Sequence, residues 1–227
     1  MSLKQIIAMV SLGCGLAFGI MMLVSIQTTL HIFEELGHLD FTSGPTAIIT
    51  SVFVIVFLIM IILAVLIPAI NLLITLVVKK DYVVEKKTTG AALWSASFLY
   101  FFELLFILYV LIELFVGYGG SDPNVFLDAL AALFKDARFY VPLILIMVSG
   151  ILWLVGNKVT NQVAKIILYS VGAAILVVMT FVFFGEAMKD AAGIIALILL
   201  TIQVLLVVFL AVMPVIGLDK QEEQKAE

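Results

Sequence analysis

Cysteine and histidine are scarce in this chain of 227 residues, and their scarcity excludes several kinds of site. Cys14 is the only cysteine, so the chain has no internal disulfide, no CxxC pair, no thiolate zinc site and no iron–sulfur cluster. The two histidines, His31 and His38, lie close together in the sequence, which disfavours a haem held between separate helices. Because no catalytic or cofactor signature stands out, we expect neither enzymatic activity nor a bound cofactor.

Charged residues are also few, at 12% of the chain, about half of the roughly 25% found in soluble domains. The formal net charge is −4 and there is no dense basic cluster, so nucleic acid is not expected as a partner. Hydrophobic residues, in contrast, make up 64% of the chain, and the mean hydropathy is +1.29. These values exclude a soluble globular protein and predict an all-α integral membrane protein, because roughly 20 apolar residues cross a bilayer as a helix.

Apolar runs separated by polar breaks predict six membrane-spanning helices. We place them at residues 5–33, 46–78, 90–117, 139–157, 162–185 and 191–217, as one transmembrane domain over 1–217. Residues 218–227 are expected to form a short polar cytoplasmic tail. The apolar run from Ile6 to Leu30 exceeds the roughly 7–15 residues of a signal-peptide core, so the first span is expected to be retained.

The second span contains a proline. Its 33 residues correspond to about 50 Å of helix, against about 30 Å of hydrocarbon, so this span must tilt, bend or project. Pro68 lacks a backbone N–H and clashes with the preceding turn, which predicts a kink. Asn71 follows within one turn, and two interpretations of it stay open. Its amide either satisfies backbone groups released at the kink or faces a substrate path at a broken helix.

The basic residues are distributed unevenly over the two sides of the predicted bundle. With a cytoplasmic N-terminus, nine of the 12 lysines and arginines fall on the cytoplasmic side and three on the outer side. The nine are Lys4, Lys79, Lys80, Lys86, Lys87, Lys158, Lys165, Lys220 and Lys225, and the three are Lys135, Arg138 and Lys189. The positive-inside rule therefore predicts that both termini are cytoplasmic. The expected location is the plasma membrane, or the inner membrane of a prokaryote.

Residues 123–138, between the third and fourth spans, have the apolar spacing of an interfacial amphipathic helix. The apolar positions are Phe126, Ala129, Leu130, Leu133, Phe134 and Ala137, with Asp128 and Lys135 on the opposite face. This helix is expected to lie on the membrane, with a lid or a docking surface as the alternative.

Glu103 is the most informative polar residue, because a charge at the centre of a span costs about 2.5–3.5 kcal/mol. Counting along antiparallel spans places Ser149 and Gln203 at a similar depth, so both are candidate hydrogen-bond partners. Glu103 then couples transport to a proton or cation, holds helices together as a neutral acid, or contacts a partner subunit. Glu113 lies about 15 Å nearer the outer surface and would allow a two-step proton path.

A second polar group closes the first span. His31, Glu34, Glu35 and His38 are spaced so that all four share one face of a continuous helix. Imidazole and carboxylate groups in this arrangement fit zinc, iron or manganese. An outer antechamber for protons or cations and a plain solvated helix end are the other two interpretations.

Small residues form a stripe along the first span, at Ser11, Gly15 and Gly19. Such stripes let helix backbones approach closely in lipid. Packing within the chain and contact with another subunit or a second copy are both compatible with this stripe.

Two functions follow from these features. The first is a small permease, or the membrane subunit of a transport complex, with Glu103 as its protonatable residue. The alternative is a non-catalytic subunit that scaffolds a larger membrane complex, which the nearly absent loops favour. Besides the bilayer itself, the expected partners are therefore other membrane subunits or further copies of this chain.

Overall fold

A computed structural model describes residues 2–77, 81–117, 127–128, 131–132, 134–185 and 189–216. The described chain forms six long α-helices and one short helix, and it contains no strand. They are α1 (Leu3–Leu30), α2 (Ile32–Glu35), α3 (Pro45–Val77), α4 (Asp81–Gly117), α5 (Ala137–Gly156), α6 (Gln162–Phe184) and α7 (Ala191–Ile216), with a 3₁₀ turn at Leu36–His38. The six long helices are apolar and long enough to cross a membrane, which confirms the predicted number of spans.

Polar side chains mark where several of these helices begin. The hydroxyl of Ser2 accepts from the backbone N–H of Gln5 at the start of α1. Asp136 accepts in the same way from Arg138 at the start of α5, and Asn161 caps α6. These caps satisfy backbone donors that a helix leaves free in its first turn, so they fix the entry points of three spans.

The helix of the third span begins at Asp81, nine residues before the predicted start at residue 90, and its membrane-spanning stretch begins at Val84. The polar residues before 90 continue the helix because their hydroxyls are satisfied locally. Thr88 and Thr89 are buried, and each donates at 2.8 Å to a carbonyl four residues earlier, of Val84 and Glu85 respectively. A stretch that looked like a loop by composition is therefore the first part of α4.

The helix of the first span ends at Leu30, three residues before the predicted end at residue 33. His31 has a left-handed backbone conformation, with φ of 50°, which turns the chain between α1 and α2. The side chain of Gln27 accepts from the backbone N–H of Phe33 at 3.0 Å across this turn.

α1 lies at the centre of the bundle, where it packs against α3, α4 and α7, while α5 and α6 form a hairpin that packs on α4 and α7. An aromatic cluster joins α1, α3 and α4. The rings of Phe18 and Phe98 meet edge to face at 6.3 Å, and those of Phe57 and Phe102 at 5.7 Å. Edge-to-face rings add to the packing energy of helices that already exclude lipid.

Gly19 of α1 lies against the backbone of α3 near the proline. A Cβ atom at Gly19 would be 2.6 Å from the carbonyl oxygen of Ala64. That oxygen is the acceptor that Pro68, lacking an N–H, leaves without its usual helical partner. The close approach of Gly19 therefore covers a backbone group that the proline releases, and the small-residue stripe packs within the chain at this point.

The two ends of the bundle differ in their side chains. We call the end with Lys4, Lys86, Lys158 and Lys165 the lysine-rich end, and the end with His31, Asp40 and Asp190 the acidic end. Near the lysine-rich end, Ile7 and Ala8 of α1 pack with Val84 of α4 and with Leu210 and Met213 of α7. Near the acidic end, the hydroxyl of Ser25 donates to Asp190 at 2.7 Å. α1 and α4 therefore run parallel, and α7 runs antiparallel to both.

Parts of the predicted architecture fall outside the described chain. Seven of the 16 residues of the predicted interfacial helix at 123–138 do so, and residues 127, 128, 131, 132, 134 and 135 are helical. Leu127 and Phe134 are both exposed. The predicted polar tail at 218–227 lies wholly outside the described residues.

Candidate functional site

Glu103 lies on α4, about 15 Å from the level of Ser149. Gly150 of α5 lies beside Leu93, since a Cβ atom at Gly150 would be 3.7 Å from the nearest Leu93 side-chain carbon. Glu103 follows Leu93 by ten residues on α4. It therefore lies near the level of Tyr100, whose hydroxyl donates to the carbonyl of Phe139 at the start of α5 at 2.8 Å. Glu103 is therefore nearer the acidic end of the bundle than counting along the sequence indicates.

The carboxyl group of Glu103 is half-buried within its span. Among the residues that the structure describes, no hydrogen bond or ion pair reaches it. Neither Ser149 nor Gln203, the two expected partners, is brought to it. Glu113 belongs to α4 by its backbone, but its side chain lies outside the described part of the chain.

Ser149 belongs to a different contact, between α5 and α6. Its hydroxyl donates to the carbonyl of Gly172 at 3.0 Å. One turn along α5, the indole N–H of Trp153 donates to the carbonyl of Tyr169 at 3.1 Å, and the two rings stack. A Cβ atom at Gly172 would be 2.6 Å from the indole nitrogen, so these helices touch backbone to side chain. The arrangement gives Ser149 a packing role in the α5–α6 hairpin.

Gln203 is completely buried in α7, with 0% of its surface exposed. Both atoms of its amide, Nε2 and Oε1, lack a hydrogen-bond partner in the described structure. The amide fills the space left by Gly15 of α1, where a Cβ atom would be 2.5 Å from Nε2. The hydroxyl of Ser11 donates to the backbone carbonyl of Gln203 at 3.3 Å, so it satisfies the backbone and leaves the amide unpaired.

Asn71 is half-buried on α3, and its backbone carbonyl accepts from the hydroxyl of Thr75 at 2.8 Å. The oxygen released by Pro68 is that of Ala64, which lies against Gly19. Among the described contacts, no hydrogen bond links the Asn71 amide to the backbone around Pro68. The substrate-facing interpretation of Asn71 therefore stays open.

The four residues at the end of the first span do not share a helix face, because His31 interrupts the helix. His31 Nδ1 lies 3.4 Å from Glu34 Oε1 on the protein surface. Glu35 and His38 line an open cavity of about 250 Å³, together with Leu39, Asp40, Ala47, Thr50, Ser51 and Val54. Within the described ranges, no three histidine, cysteine or acidic side chains are close enough to hold a metal ion.

Asp40 accepts several hydrogen bonds at the acidic end of the bundle. Its carboxylate accepts four hydrogen bonds, from the backbone N–H and the hydroxyl of both Thr42 and Ser43. The distances from Thr42 are 2.7 Å for the backbone N and 2.9 Å for Oγ1. These hydrogen bonds hold the pKa of Asp40 well below its usual value, and the bond from the Ser43 hydroxyl has the largest effect. Asp40 therefore stays charged beside the cavity.

A polar cluster at the lysine-rich end was missed by the sequence analysis. Lys165 of α6 lies 3.5 Å from Glu85 of α4, and each side chain is only 20% exposed. The hydroxyl of Tyr169 donates at 2.6 Å to the side chain of Asn157, which follows the last residue of α5. Glu85, Thr89 and Tyr169 also line a small cavity of about 10 Å³ against α7. The only signal in the sequence is that Lys165 and Tyr169 are one turn apart, and the predicted start of α4 had excluded Glu85 from the bundle.

Comparison with known proteins finds no family model, no curated protein and no solved structure that matches this chain. The fold itself defines the class. Six apolar helices fit a polytopic membrane protein, and the polar groups just described lie within or at the ends of its spans.

Proposed function

We propose that the protein is a small proton- or cation-coupled permease, or the membrane subunit of such a transport system. Glu103 is its protonatable coupling residue, and no catalytic step or bound cofactor is part of the proposal. The observation that carries it is the carboxyl group of Glu103, which lies within a span and has no partner among the described residues.

The lack of a hydrogen-bond partner for Glu103 among the described residues favours a coupling acid over an acid that holds helices together. An acid that holds helices together needs a group to bond with, and the two expected groups are elsewhere. Ser149 bonds to Gly172, and the amide of Gln203 lies against Gly15. An unpaired carboxylate is expensive in hydrocarbon, so the group is neutral unless water, an ion or another protein reaches it. This alternation between a neutral and a charged state is what a coupling acid requires.

The orientation is part of the proposal. Placing the lysine-rich end in the cytoplasm follows the positive-inside rule and puts both termini there. Glu103 then lies towards the outer side, where protons enter from outside. The membrane is the plasma membrane, or the inner membrane in a prokaryote.

The test is proton flux in proteoliposomes that carry a pH-sensitive dye inside. Glu103→Gln keeps the shape and hydrogen-bonding capacity of the side chain but does not titrate, so it should fold normally and reduce flux to that of empty liposomes. Thermal unfolding in detergent provides the matched control for folding. Full flux through the Glu103→Gln variant would remove the coupling role.

A scaffolding subunit is the second candidate, and the surroundings of Glu103 give it specific support. Glu103 is itself only partly buried, and Phe101, two positions earlier, is 46% exposed, so this turn of α4 reaches the outer surface of the bundle. A polar group of another membrane subunit could satisfy Glu103 there. In that case Glu103→Gln leaves the assembly intact, whereas Glu103→Leu releases the copurifying subunit.

A further inference from the structure

We propose that Gln203 is the central polar contact of a permeation path along the seam between α1 and α7. In an open state of the protein its amide binds water, or a small solute that offers both a hydrogen-bond donor and an acceptor. The permeation role rests on the proposed transport function, but water access to Gln203 is tested without it.

The first observation is the unpaired amide. Gln203 has 0% exposure, and both its donor and its acceptor lack partners in the described chain. A buried polar group without a partner destabilises the closed packing, whereas an apolar side chain of similar size would not. An amide at this place is therefore explained by a state in which it is hydrated or bound to a solute.

α1, which faces Gln203, has small residues beside the amide. Gly15 leaves the space that the amide fills, and Ser11 offers a hydroxyl one turn away on the same face of α1. The indole N–H of Trp94 is also buried and unpaired among the described residues. Since Phe18 contacts Phe98 in the parallel α4, Gly15 and Trp94 lie at nearly the same level. Both unpaired groups are thus at the middle of the bundle.

Polar side chains of neighbouring helices lie beside α7 on both sides of Gln203, next to apolar residues of α7 itself. Towards the lysine-rich end, Val207, Leu210 and Ala211 line the cavity of about 10 Å³ that Glu85, Thr89 and Tyr169 complete. A cavity of this size is at the lower limit for holding one water molecule, and three polar side chains can bind one. Val207 follows Gln203 by one turn, about 6 Å. Towards the acidic end, Asp190 pairs with Ser25 across the same seam.

The experiment measures whether water reaches position 203. Cys14→Ser removes the native thiol, and Gln203→Cys is then exposed in sealed proteoliposomes to a charged, membrane-impermeant methanethiosulfonate reagent. Val204→Cys is the matched control, because Val204 is equally buried and one residue away. Intact mass should show complete modification at 203 and none at 204 over the same time. No modification at 203, either in sealed proteoliposomes or in permeabilised ones in which the exposed Thr160→Cys reacts fully, would overturn the proposal.

A second variant keeps the test decisive if the cysteine variant does not fold. Gln203→Met retains an unbranched side chain of similar length and removes the unpaired amide. It should unfold at a higher temperature than the native protein and lose proton flux, and a stabilised variant with full flux would contradict the proposal. The two ideas also fail separately. Retained flux in Glu103→Gln with normal labelling at 203 rejects only the coupling acid, and an unlabelled 203 with lost flux in Glu103→Gln rejects only the path.

Discussion

At the scale of single residues, the hydroxyl groups within the spans differ from the side chains of Glu103 and Gln203 in their hydrogen bonding. Many hydroxyls within the spans donate to a carbonyl one turn earlier on their own helix. They are Thr75, Thr88, Thr89, Ser95, Ser97, Thr180 and Thr201. Such local bonds satisfy a polar group in hydrocarbon without any partner helix. Glu103 and Gln203 have no such bond, and that contrast is why the functional proposals rest on them.

Asp40 gives a prediction about pH. Its folded-state pKa is depressed by the bonds from Ser43 and Thr42, so the stability it contributes is present above its unfolded value of about 3.9. That contribution is lost only as the pH falls below 3.9 towards the lower folded value. The backbone amides of Thr42 and Ser43 should therefore stay protected from hydrogen exchange at pH 4.

Asp40→Asn is the control for this prediction. It keeps an acceptor but removes the titration, so amide protection in the 39–44 loop should be weaker and should no longer change between pH 5 and the acid range of about 2–4. A half-loss of protection near pH 4 in the native protein would show that the Asp40 hydrogen bonds do not lower its pKa.

Sequence reasoning singled out Glu103 but did not predict its surroundings. Glu103 stands out because a charged residue is rare within an apolar run. A third span over 90–117 places Glu103 at its centre. The helix in fact begins at Asp81, because the hydroxyls of Thr88 and Thr89 are satisfied locally, so Glu103 lies beyond the middle of the helix. The unpaired state of Gln203 could not be read from the sequence, because it depends on Gly15 of a helix nearly 190 positions away.

At the scale of helices, the contact between α1 and α3 combines a glycine and a proline that are far apart in the chain. Gly19→Ala should destabilise the protein by about 1–3 kcal/mol, because the new Cβ atom would meet the backbone of Ala64 and not a movable side chain. Chemical or thermal unfolding of the purified protein in detergent measures this change.

Gly13→Ala is the matched control on the same helix. A Cβ atom at Gly13 meets nothing within 4 Å, so this variant should be unchanged or more stable by about 0.5–1 kcal/mol. Equal stability of the two alanine variants would mean that α1 and α3 do not approach as closely as described.

The helices themselves were largely predictable, because long apolar runs have few alternatives in a bilayer. Their ends were less so. The left-handed conformation of His31 has no clear signal in the sequence, since histidine adopts it only uncommonly. The metal-binding interpretation of His31, Glu34, Glu35 and His38 required a continuous helix, and the structure interrupts that helix at His31.

At the scale of the whole molecule, the distribution of basic residues predicts the orientation. Reporters fused after Lys80, Lys158 and Glu227 should give cytoplasmic signals, and reporters near Asp40, Asp122 and Lys189 external ones. The reason is the asymmetry of nine basic residues against three between the two sides. A cytoplasmic signal from position 122 would be incompatible with six spans and cytoplasmic termini.

The central claim is that Glu103 exchanges a proton within the membrane during transport. Dicyclohexylcarbodiimide tests it most directly, because this apolar reagent modifies protonated carboxyl groups in apolar surroundings. In proteoliposomes of the native protein, mass spectrometry should find the label on Glu103, decreasing as the pH is raised, and proton flux should fall in proportion to the labelled fraction. Glu85, paired with Lys165, should remain unlabelled. Undiminished flux after complete labelling of Glu103 would contradict the account.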